Sequence, residues 1–149
     1  MLEDRATPTQ FTWSGAGPDA LWSDGANWQR GVAPSPGAAV DLVFPAGAAQ
    51  RTNTDDLSLT LASLTFTGGG YSIGGQPLQI AGSITSNNPA GTTNILGVPV
   101  ALAGSNTFQP IAVGTAGATL SLTQALTDPQ NAVLAVAGSG TVLLSGNDS

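Results

Sequence analysis

The 149-residue chain has no cysteine, no histidine and no lysine; its only basic side chains are Arg5, Arg30 and Arg51. Each absence closes off a chemistry. Without His or Cys there is no Ser–His or Cys–His nucleophile, and without Lys there is no Schiff base. A zinc site of the usual thiolate and imidazole kind cannot be built. Three cations against nine acids, a net charge of -6, leave no basic surface for a nucleic-acid backbone. No apolar run approaches the roughly 18 residues of a spanning helix, so no membrane insertion is expected. The missing disulfides do not fix the compartment, because a large enough core makes them dispensable. Charged residues are only 8% of the chain, against about 25% in an average soluble domain.

What the chain has instead is glycine and proline, 20 and 10 residues, with many small polar side chains. Leu, Ile, Val and Phe stand just above the level at which a packed core fails, so a fold is expected, but not a helical one. Charge is uneven. Residues 1–56 hold every Arg and seven of the nine acids, and beyond them stand only Asp128 and Asp148. The chain reads as a flexible N-terminal segment (1–10), a Trp-rich capping head (11–45) and a remainder (46–149) that is nearly uncharged from residue 57 on.

That remainder alternates. Leu57, Leu59 and Leu61 are spaced by two, as are Leu64 and Phe66, Leu78 and Ile80, Val98, Val100 and Leu102, Ile111 and Val113, Leu120 and Leu122, Leu134 and Val136, and Val142 and Leu144. Period two is the mark of strands with one buried face. These residues, with Ile73, Ile84 and Phe108, form the expected core. Gly, Asn or Pro separates the runs. The best helical stretch, residues 116–125, is interrupted by Gly117. Short strands suit a sandwich, a barrel or a solenoid. The scarcity of charge and the abundance of small residues favour an all-β solenoid, a right-handed parallel β-helix given the hand of parallel crossovers. A sandwich is the competing reading. Asn87, Asn88, Asn94, Asn106, Asn131 and Asn147 recur at turns, where they either stack into side-chain ladders or act as ordinary turn residues.

The run Phe11-Thr-Trp-Ser-Gly-Ala-Gly17, then Leu21-Trp-Ser-Asp-Gly-Ala-Asn-Trp28, then Pro34, Pro36, Gly37 and Val40-Asp-Leu-Val-Phe44, resembles the opening of secreted bacterial proteins with autotransporter-associated β-strand repeats. The segment Gly138-Ser-Gly-Thr-Val-Leu-Leu-Ser-Gly-Asn147 is similar to the repeat itself, with Val142 in place of the usual Leu. Leu2-Glu-Asp-Arg-Ala-Thr-Pro8 resembles a motif near the N-termini of secreted planctomycete proteins. The resemblance implies a β-helix and a secreted, extracellular or cell-surface location. It implies no activity. Met1 runs straight into Leu-Glu-Asp-Arg with no signal-peptide pattern, which reads as a trimmed start.

The head has a physical task. A solenoid end exposes a core cross-section and unpaired strand edges. Trp13, Trp22 and Trp28, each able to bury about 150–250 Å², suit a seal over it. The sharper alternative makes them a sugar-stacking platform, and the protein an adhesin module for extracellular polysaccharide. Asp24 and Asn27, or Asn53, Asp55 and Asp56, offer oxygen ligands for Ca²⁺, but neither set completes a loop. The simpler reading makes Asp24 part of a turn and residues 53–56 a solvated loop. A glycosidase needs two carboxylates at a defined separation; the acids here lie in residues 1–56 or stand alone at Asp128 and Asp148, which leaves the stretch that would form a substrate groove nearly free of ionisable groups. The expected function is therefore non-enzymatic, without cofactor: a structural stalk or filament unit. The coils are expected either to continue in a longer stalk or to stack on another molecule; in the second case the expected partner is the chain itself, head to tail, through Phe11 and Trp13 at one end and Val142 and Leu144 at the other, with residues 7–13 adding as a strand to a neighbour's open edge.

Overall fold

A computed structural model describes residues 9–37, 39–102, 108–127 and 133–146. They form two parallel sheets wound into a β-solenoid of about 4 turns. The first sheet contains β1 (Thr9–Thr12), β2 (Val40–Phe44), β4 (Thr60–Phe66), β6 (Leu78–Ser86), β8 (Val100–Leu102), β9 (Phe108–Val113), β11 (Leu126–Thr127) and β12 (Val133–Ala137). The second contains β3 (Thr52–Asp55), β5 (Ser72–Gly75), β7 (Thr93–Leu96), β10 (Thr119–Leu122) and β13 (Thr141–Leu144). Every ladder between these strands is parallel. That excludes the sandwich, whose hairpins and Greek keys pair antiparallel. Residues 116–125 hold β10 rather than a helix.

Each turn of the solenoid crosses the first sheet and then the second. The long strand β6 shows how the first sheet bends. Its start pairs with β8 and its end with β9, two strands that the chain separates. Register shifts in the neighbouring ladder fall between Leu61 and Ser63. The bend makes one sheet serve two walls of the coil.

Pairing stacks like on like. Leu42, Leu64, Ile84 and Ile111 form one inward column, and Val40, Leu61, Ile80 and Leu102 another. All eight are buried. In the second sheet the equivalent positions are Asn53, Ile73, Leu96, Leu122 and Leu144. Two expected core residues depart from the pattern. Val136 and Leu144 belong to the last described turn and are 56% and 39% exposed. They face inward in register with Ile111 and Leu122, but no further described turn lies over them. Val142 is half-buried against the core. The expected positions Phe108 and Leu134 lie outside the described side chains, and the Leu2–Pro8 motif, Asn106, Asn131 and Asn147 lie outside the described residues.

The interior changes character along its axis. Phe44 stacks on Phe66 with ring centroids 5.3 Å apart, and Tyr71 meets Phe44 edge-on at 5.3 Å. The next position in the phenylalanine column is Ser86. There the aromatic stack gives way to a dry polar cluster. Ser86 Oγ donates to Asn88 Oδ1 at 2.6 Å and accepts from Asn94 Nδ2 at 3.1 Å. Asn94 Nδ2 also reaches Gly68 O, while its Oδ1 accepts the Tyr71 backbone N–H at 2.9 Å. Ser86, Asn88 and Asn94 are fully buried. Of the two readings left open for the asparagines, a side-chain ladder is not formed at Asn94. Asn94 lies in register with Leu120, and its amide bonds the Tyr71 N–H and the Gly68 carbonyl of the turn below.

Candidate functional site: the tryptophan head and its seat

The head enters as a strand. β1 adds in parallel to β2, with Phe11 beside Leu42. The strand expected to reach a neighbouring molecule thus pairs first with its own chain, and Thr9 and Gln10 are part of it rather than of a flexible tail. The chain then folds over the first turn through two single 3-10 turns, Gly25–Asn27 and Gln29–Gly31. Asp24 caps the first of these, its Oδ1 accepting Ala26 N–H at 2.9 Å. Arg30 takes a left-handed conformation (φ 77), and Gly31 follows it.

Trp13, Trp22 and Trp28 are 0%, 0% and 2% exposed. Trp28 stands edge-on to both others, at 5.1 Å from Trp13 and 6.1 Å from Trp22. All three rings lie over Phe44, at 6.0, 5.8 and 6.2 Å. Each indole N–H is satisfied inside. Trp13 donates to Gln50 O at 2.7 Å, Trp28 to Trp22 O at 2.8 Å and Trp22 to Asn53 Oδ1 at 2.7 Å. This is a seal over the solenoid's first turn. A sugar platform on these rings has no open ring face to offer.

The five oxygen-bearing residues weighed as cation ligands are part of the scaffold. Asn27 is fully buried: its Oδ1 accepts Gly17 N–H and its Nδ2 donates to Asp19 Oδ1 and Leu21 O. Asp56 accepts from Ser23 twice, N–H at 2.9 Å and Oγ–H at 2.5 Å. Residues 53–56 are not the solvated loop expected from their polarity. Residues 53–55 lie in β3, and Asn53 and Asp55 are 1% and 0% exposed. The reason is the head, which docks along the outer edge of β3. Trp22 N–H donates to Thr54 O, and Thr54 N–H to Ala20 O. Among the described residues, no three acids stand close enough to hold a metal ion.

Asp55 differs from the other acids. Its Oδ1 accepts Leu57 N–H at 2.8 Å, but its Oδ2 is buried without a partner. Burial pushes the carboxyl up to about 7; the Leu57 N–H opposes this, and the Asp56 carboxylate adds to it. Opposite it in register is Gly75, at φ 109, where a Cβ would run into the Asp55 carbonyl.

Of the residues expected to mediate self-association, Trp13 is enclosed and can touch no neighbour. Phe11 is half-buried beside a shallow hollow formed with Thr9, Val32, Ser35 and Pro36. At the other end, Leu143 is 51% exposed. Sequence reasoning missed Asn53 and Asp55 as buried groups. The available signal was their period-two spacing, in phase with the inward face of β3. No protein-family model, curated protein or solved structure matches the chain.

Proposed function

We propose that this β-solenoid is a non-enzymatic structural unit working outside the cell, a surface stalk or filament element that grows by stacking turn on turn. One observation carries the reading: the two ends of the stack differ. The first turn is sealed by three tryptophans. The last described turn presents β12 and β13 with a strand neighbour on one side only, and Val136, Leu143 and Leu144 exposed. An edge of this kind is a template for another parallel strand. The head supplies one, because β1 pairs with β2 alone among the described strands. A heterologous contact of that geometry does not close, and it builds a line. The acids fit the same reading. Asp24, Asp41 and Asp56 are engaged by Ala26, Ser63 and Ser23, as scaffold rather than as reacting groups. The resemblance to autotransporter-associated repeats supports the extracellular setting.

Sedimentation velocity over a concentration series, with electron microscopy of the same samples, tests it. The wild-type chain is expected to form linear assemblies as concentration rises. Val136→Glu with Leu143→Glu, which charges the open end and leaves the head untouched, is expected to remain monomeric with an unchanged far-UV spectrum. A wild-type chain that stays monomeric throughout rejects filament growth by this chain.

A further inference from the structure

We propose that Asp55 makes the seat of the tryptophan head a proton-operated clasp, closed while its carboxyl is neutral and loosened when the carboxyl ionises. The inference is carried by position. Asp55 lies on the strand that holds the head. Two residues before it, Asn53 takes the Trp22 indole N–H; Thr54 exchanges backbone bonds with residues 20 and 22; one residue after it, Asp56 holds Ser23 through both of its oxygens. Asp55 itself is fully buried, with Oδ2 unpartnered.

Among the described residues, the surrounding elements bring it no cation. β5 opposes it with Gly75 and the next corner with Leu57. In the head, Asp19 and Asp24 are engaged with Leu21, Asn27 and Ala26. Arg51, four residues earlier on the chain, donates instead to the carbonyls of Ala46 and Gly69. The charge that acts on Asp55 is Asp56, of the same sign. A neutral carboxyl leaves one hydroxyl unpaired in this site, whereas a carboxylate leaves an uncompensated buried charge, which is far costlier. The charge is relieved by admitting water, and in the proposal the seam that opens to admit it is the one between β3 and the head segment held by residues 53, 54 and 56.

The direction follows from linkage. In the unfolded chain the carboxyl titrates near its ordinary value of about 3.9; in the folded chain it is raised to about 7. The seated head therefore holds the proton more tightly than the released one. Seating is favoured at low pH, weakens as pH rises through the interval between the two values, and levels off once the folded-state carboxyl is fully ionised, about a unit above the upper value. The chain has no His and no Cys, so no other side chain of ordinary pKa titrates near neutrality.

All three tryptophans are in the head, so their emission and quenching by acrylamide, a neutral quencher, report on its seating. Between about pH 5 and pH 9 the wild-type quenching constant is expected to rise several-fold, with a midpoint at about 7, while the far-UV signal of the coils holds. Asp55→Asn, which keeps an acceptor and cannot ionise, is expected to stay shielded throughout. A pH-independent wild type overturns the proposal. So does an Asp55→Asn protein with the same transition, or loss of the far-UV signal at the same midpoint. If Asp55→Asn does not fold, the carboxyl ¹³C shift of Asp55 in the wild type decides. A midpoint near neutrality that tracks the fluorescence supports the clasp, and one near the ordinary carboxylate value overturns it.

Discussion

Trp28 shows how much one side chain can hold. It is the edge-on partner of both other tryptophans and of Phe11, lies over Phe44, and bonds Trp22 O through its indole. Removing a buried aromatic costs about 3–5 kcal/mol, because the cavity collapses only partly. Trp28→Ala is expected to lose that much in urea unfolding. A loss near 1 kcal/mol or less would mean the head is not fastened to the first turn. The tryptophans' burial was legible in the sequence, since an open solenoid end needs large apolar groups. Their acceptors were not. Nothing in the letters of Gln50 or Asn53 says that an indole from some thirty residues earlier will reach them.

At the scale of elements, the strands were legible wherever apolar residues alternate, because a one-residue slip would turn a whole face to solvent. The reading failed where the inward position is polar. Asn53, Asp55, Ser86 and Asn94 occupy inward positions, and a count of hydrophobic spacing passes over them. The failure has a physical cause. Each coil has corners whose backbone groups find no ladder partner, and a short amide inside the coil satisfies them where an aliphatic side chain cannot. Asn94 tests this. Its neighbour in the column above is Leu120, so Asn94→Leu extends an apolar row and by hydropathy ought to stabilise. It would instead orphan the Tyr71 N–H and the Gly68 carbonyl and take one donor from Ser86 Oγ, which keeps its bond to Asn88. At about 1–3 kcal/mol for each buried unsatisfied group, the variant is expected to be less stable than wild type by at least about 2 kcal/mol. Thermal and chemical unfolding measure it, and a stabilised variant would refute the account.

For the whole molecule, the scarcity of charge has a kinetic side. Residues 57–127 contain no ionisable side chain except Tyr71, and burial pushes that phenol up to about 12 against the opposing pull of Arg51. On the proposed stacking, association of the open end would be driven by apolar side chains and backbone edges, not by ion pairs. It is therefore expected to be nearly indifferent to sodium chloride over a range that shortens the screening length from about 30 to about 8 Å. Sedimentation at the two ionic strengths reads this directly. A steep salt dependence would mean that ion pairs carry the contact and would overturn the apolar account.

The turns are unequal, and this sets a rule for rearranging the molecule. Counting along the inward column from Asn53 to Ile73, Leu96, Leu122 and Leu144, no two successive turns contain the same number of residues. Nor do successive storeys carry the same furniture: tryptophans, then stacked phenyl rings, then amides, then aliphatics. Such a stack is not a spring from which any loop can be cut. Excising one storey would lay phenyl rings directly on aliphatics and leave the amides' partners behind. Each storey fits the one beneath it and no other, so the order of the floors is written into the walls.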